Sequence, residues 1–146
     1  MLLTKYTSAR AGLAAVFAVF ALAALTVGSS IANADGMTGA THAAAKNMKV
    51  SIKVKPDKMA GYNLFVTTRG FRWAPEHASG KHVKGEGHAH LLIDGVKVTR
   101  LYGNAYYMGK LASGTHQVTV ELNGNDHIPY ARKGHEIASN ATVVVP

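Results

Sequence analysis

The sequence predicts an all-β fold, an antiparallel β-sandwich of about seven strands, and three observations carry the prediction. Apolar and polar residues alternate with period two over several stretches. Turn residues recur between those stretches at short intervals. No stretch after residue 34 shows helical periodicity. The 112 residues from Asp35 to Pro146 are enough for one core, and with no cysteine that core has no disulfide to support it.

The N-terminus has the three-part layout of a secretory signal peptide. Met1–Arg10 carries Lys5 and Arg10 and no acid, Gly12–Val27 is a nearly unbroken apolar run, and Ala32-Asn33-Ala34 offers a small-x-small cleavage site before Asp35. A single membrane anchor is the other reading. The apolar run is short for a span of about 20 residues, so cleavage is expected to leave a periplasmic or secreted protein with no stable membrane span. Residues 35–47, rich in Ala, Gly and Thr, read as a flexible leader, and the sandwich domain is expected over 48–146.

Met48–Lys55 alternates without a fault, placing Met48, Val50, Ile52 and Val54 on one face, until Pro56-Asp57 ends the strand. Tyr62–Thr68 is a second strand, rich in aromatic and β-branched residues. The long polar segment Gly70–Gly87 reads as a functional loop. His88–Asp94 and Val96–Leu101 form a hairpin through Asp94-Gly95. Tyr106–Leu111, His116–Leu122 and Asn140–Val145 complete the set. An immunoglobulin-like or a cupredoxin-like topology would suit this pattern.

Removing Lys5 and Arg10 from the 16 basic residues leaves 14 against 8 acidic ones, a net charge of +6 with histidines neutral. The lysines are scattered and the chain is expected to be exported, so nucleic acid is not an expected partner; weak attraction to anionic envelope surfaces is. Without cysteine, a transition-metal site must use His, Met, carboxylate or backbone groups. All eight histidines lie beyond residue 34.

His88 and His90 sit two apart on a strand, so both imidazoles project from one face, roughly 7 Å apart at Cα, and can close on one ion. They could equally be exposed or hydrogen-bonded strand histidines, or half-buried ones if the strand is central. His127, in the Asn125-Asp126-His127 loop, is either a third ligand or part of an Asx-type turn, with Asp126 able to orient an imidazole. His116 begins a strand at the rim of the core, as a ligand or as a structural hydrogen-bonding group. Met108 is a thioether ligand candidate for copper or a core gap-filler. His77 and His82 would close over a site or stay solvated in the long loop, and His42 and His135 are expected to be solvated. No nucleophile elbow or Cys-His pair is present and no paired carboxylates stand at readable spacing, so no enzymatic activity is expected.

The segments Gly85-Glu86-Gly87-His88-Ala89-His90-Leu91, Arg100-Leu101-Tyr102-Gly103, Leu111-Ala112-Ser113-Gly114-Thr115-His116 and Leu122-Asn123-Gly124-Asn125-Asp126-His127 resemble small secreted bacterial His-rich domains, over about Tyr62–Val145. The Leu-x-x-Gly-x-His element is also similar to immunoglobulin-like periplasmic copper-resistance domains, although their N-terminal histidine is not matched at Asp35. The resemblance points to His88, His90, His116 and His127, and to Met108 where relatives place a histidine after paired aromatics. The expected function is an exported protein that binds copper, with zinc as the other candidate, for carriage, buffering or delivery to an envelope partner. A metal-free immunoglobulin-like interaction module is the alternative, and a small metal-dependent hydrolase the third.

Overall fold

The computed structural model describes residues 39–146; the signal-peptide layout, its cleavage site and the first residues of the leader lie outside the described residues. Eleven strands follow in order: β1 (His42–Ala43), β2 (Lys49–Pro56), β3 (Tyr62–Arg69), β4 (Arg72–Trp73), β5 (Glu86–Ile93), β6 (Val96–Leu101), β7 (Ala105–Gly109), β8 (Gly114–Asn123), β9 (Tyr130–Arg132), β10 (His135–Glu136) and β11 (Ala138–Val145). A single 3-10 turn among the described residues spans Pro75–His77. Among the described residues no helix is long and apolar enough to cross a membrane.

The fold is the expected β-sandwich, with eleven strands rather than seven. All seven anticipated strands are present. The other four, β1, β4, β9 and β10, are two or three residues long. Strands that short cannot display an alternation, so only long-range pairing creates them. The long loop therefore contains β4 and the 3-10 turn, and ends inside β5.

One sheet runs β11-β8-β5, with β4 and β6 sharing the far edge of β5; β4 pairs Arg72 and Trp73 in parallel with Glu86 and Gly87, and β6 takes Ala89–Ile93. A second sheet runs β2-β3-β7, and a small third sheet runs β1-β9-β10. Leu64 and Val66 of β3, Ala89 and Leu91 of β5, Val118, Val120 and Leu122 of β8 and Val143 of β11 meet in a common core. Their spacing of two is what a strand with one face on the core requires. The β5–β6 hairpin turns through Asp94 and Gly95, both at positive φ (53° and 80°), which matches a type I′ turn.

The leader needs correcting. His42–Ala43 pairs in parallel with Tyr130–Ala131 of β9, Ala44 and Ala45 pack on the core, and Met48 is 1% exposed. The folded part thus begins before residue 48. Alanine-rich sequence has no pattern of its own, but the small side chains of Ala44 and Ala45 pack against the core once β9 offers a partner.

Candidate metal centre

The site is built by the register between β5 and β8. His88 lies opposite Asn123 and His90 opposite Glu121, so the chain leaving β8 at Asn123 turns beside His88. The turn closes by His127 N–H donating to the Gly124 carbonyl (3.1 Å) and Gly124 N–H donating to the Ile128 carbonyl (2.9 Å). It returns His127 over the histidine face of β5.

Three imidazoles converge there. His88 Nε2 lies 3.1 Å from His90 Nε2 and 3.1 Å from His127 Nδ1, and the three ligand atoms all fall within 4.8 Å of one another. Three nitrogens bound to one ion at about 2.0–2.1 Å would stand roughly 3.3–3.6 Å apart, so little movement is needed to seat an ion. His88 and His90 are 0% and 6% exposed, because β5 is central and both its faces are covered. Tyr102 lies beside His88, ring centroids 5.6 Å apart, and His127 is only half-buried, so the site opens on that side.

The electrostatics suit a ligand set. Burial, then the neighbouring His90 and His127, then Arg100 and Lys97, push the His88 imidazole down to about 3. It is neutral at any physiological pH and its lone pair needs no deprotonation. Its Nδ1 is buried without a hydrogen-bond partner. His127 is oriented from outside, its Nε2 standing 3.2 Å from Ser79 Oγ, and Arg100 donates to the same hydroxyl (3.4 Å). Both His127 and Ser79 have positive φ (69° and 60°). Such residues are uncommon outside glycine, and two of them meeting at one cluster is the pattern of backbone strain held at a functional site.

The turn is anchored from beneath by Glu86. This buried carboxylate accepts Asn125 Nδ2–H (3.2 Å) and Arg72 Nε–H (2.9 Å), and pairs with His77. The His77 contact, then Arg72 and Asn125, outweigh burial and hold the Glu86 carboxyl at about 2. Gly87 must be glycine: a Cβ there would lie 2.0 Å from the Asn123 carbonyl oxygen.

Of the residues singled out in the sequence, the structure brings together His88, His90 and His127, and sets two others elsewhere. His116 lies at the opposite end of β8, seven residues or about 23 Å of strand from the residue facing His88. Both its nitrogens are used, Nδ1 with Asp94 Oδ2 (2.7 Å) and Nε2 donating to the Ala112 carbonyl (2.9 Å). Met108 belongs to β7, in the other sheet, and packs on the core. Asp126 does hold an imidazole, but it is that of His42, at 2.9 and 3.0 Å, and it also accepts Ile128 N–H (3.3 Å) in the expected Asx turn. His77 stays exposed in the loop and also pairs with Glu86.

Sequence reasoning passed over Ser79, Glu86 and His42 as parts of a site, and placed His82 only as a loop residue able to close over one. Ser79 carries no motif, and Glu86, although inside the Gly85–Leu91 segment, shows no signal of its link to the turn that holds His127. His42 lies in a leader without periodicity, and only the pairing of β1 with β9 brings it inward. No family model matches the sequence, and neither a curated protein nor a solved structure matches it.

Proposed function

We propose that this protein is an exported copper carrier or buffer that holds its cargo ion in the His88–His90–His127 centre. The observation that carries the reading is the convergence of three imidazole nitrogens on one point, two of the rings buried. Imidazole nitrogens 3.1 Å apart share protons in the empty site, and releasing those protons frees three lone pairs to converge on one cation.

Copper is favoured by charge. Imidazole suits copper and zinc alike, but no carboxylate joins this group, and Arg100 and Lys97 already disfavour positive charge at His88. A monovalent ion meets less Coulomb repulsion than a divalent one, and of the two candidates copper alone offers that state. The half-exposed His127 edge lets the ion enter and leave, as carriage and delivery to an envelope partner require. The signal-peptide layout of residues 1–34 supports a periplasmic or secreted setting.

Competition between the purified protein and a chromophoric Cu(I) chelator tests the reading. One tight equivalent is expected, weakened roughly 100-fold or more by His88→Ala or His90→Ala. No saturable binding tighter than about micromolar, or binding indifferent to both substitutions, overturns it.

A further inference from the structure

Beside the Gly124–His127 turn, away from the triad, lies a second convergence that the expected metal ligands do not include. His42, His82 and Asp126 bring two imidazole nitrogens and a carboxylate oxygen within 4.8 Å of one another. We propose that these three residues form a second metal site, selective for a divalent ion of the zinc(II) or copper(II) class.

The His42 and His82 rings stack face to face, centroids 3.5 Å apart and 17° from parallel, which keeps both imidazoles at the turn; a tilt between the rings would aim their in-plane lone pairs at one ion. Three observations support the site. His42 Nε2 lies 2.9 and 3.0 Å from the two Asp126 oxygens, close to the separation of two donors bound to one ion at about 2.0–2.2 Å each. The ion would take the place of the hydrogen now held between them. His82 Nδ1 is buried with no hydrogen-bond partner, so one prospective donor is already dehydrated and unused, a cost that a bound ion removes. Finally, the space these groups surround is kept open by a missing side chain. A Cβ on Gly124 would lie 2.9 Å from Asp126 Oδ1, 2.9 Å from His42 Cδ2 and 3.0 Å from His82 Nδ1.

The two centres differ in chemistry as well as place. The triad offers neutral nitrogens only, whereas this site adds a carboxylate that offsets one unit of the ion's charge. Carboxylate with imidazole suits zinc(II) and copper(II), and the added negative charge favours the divalent ion over copper(I). Successive residues of one turn, Asp126 and His127, would thus each contribute to a different site.

The test is a Zn(II) titration of the purified protein against a chromophoric chelator, with NMR of the histidine rings. The Zn(II) equivalent assigned to this site should persist in the double variant His88→Ala/His90→Ala and weaken roughly 100-fold or more in His82→Ala. Asp126→Asn should weaken it too while keeping an oxygen for Ile128 N–H. In the unaltered protein, Zn(II) should shift the ring resonances of His42 and His82. Loss of all Zn(II) binding in the double variant, unchanged binding in His82→Ala, or unmoved His42 and His82 rings at saturation would each overturn the proposal. Binding that survives the double variant but vanishes in His82→Ala sustains this site even if the copper reading of the triad fails.

Discussion

His88 shows how a residue acquires a role that its neighbours in sequence do not announce. Its partner His90 is legible from strand alternation, but the burial of both depends on β8, β6 and the 70–87 segment closing around β5. Two other single residues bear on whether that closure holds. Gly87 lets β5 approach Asn123, so Gly87→Ala should cost about 3 kcal/mol or more, because backbone rather than a flexible side chain must give way. Tyr130, 1% exposed, accepts Gly85 N–H (3.1 Å) and offers its hydroxyl to the Glu86 carbonyl (2.9 Å). Tyr130→Phe leaves those backbone groups without their partner and should cost about 1–3 kcal/mol. Chemical unfolding of each variant checks both values; a Gly87→Ala protein as stable as the parent would contradict the close approach.

At the scale of elements, the β5–β6 hairpin is fastened to β8 by one carboxylate. Asp94 Oδ1 accepts Gln117 N–H (2.8 Å), Oδ2 meets His116 Nδ1, and Asp94 N–H donates to the Gln117 carbonyl (2.9 Å). The His116 contact, then Gln117, lowers the Asp94 carboxyl below its usual range, and Asp94, then the Ala112 carbonyl, raises the His116 imidazole. A raised imidazole contributes stability that is complete below its ordinary value of about 6.5 and fades as pH climbs through the folded value. A lowered carboxyl contributes above its ordinary value of about 3.9 and fades as pH falls through the folded one. The stability difference between the parent and His116→Ala should therefore be largest from about pH 4 to 6.5 and shrink on both sides. Urea unfolding across pH measures it, and a difference that does not vary with pH would exclude the clamp.

The same scale explains what could be read beforehand. Lys49–Pro56, Tyr62–Arg69, Gly114–Asn123 and the hairpin are long enough to show alternation or an Asp-Gly turn, so their existence follows from local pattern. The pairing of His42–Ala43 with β9 and of Arg72–Trp73 with β5 is created by distant partners. The His88–His90 pair is a local feature of one strand, whereas the arrival of His127 depends on the antiparallel β5–β8 register. The second cluster depends on β1, so although His82 is a candidate to close over a site, nothing in the sequence near His42 points to their meeting.

For the whole molecule, a bound ion and a compact β-sandwich without disulfides are linked energetically. An ion held only by the folded state adds about 2.7 kcal/mol at 100 times its dissociation constant, and in a domain of this size that raises the melting temperature by roughly 10 °C or more. Calorimetry with and without Cu(I) should show the rise, and His90→Ala should abolish it; an equal rise in that variant would place the ion elsewhere. Export makes its own prediction, that the protein recovered outside the cytoplasm begins at Asp35, which intact-mass spectrometry reads directly. The central claim concerns the ion's immediate surroundings, and X-ray absorption spectroscopy of the copper-loaded protein carrying His82→Ala examines them most directly. Three imidazole nitrogens at about 2.0 Å and no sulfur are expected; a sulfur neighbour from a methionine such as Met108, or a shell holding fewer than two imidazoles, would contradict the account.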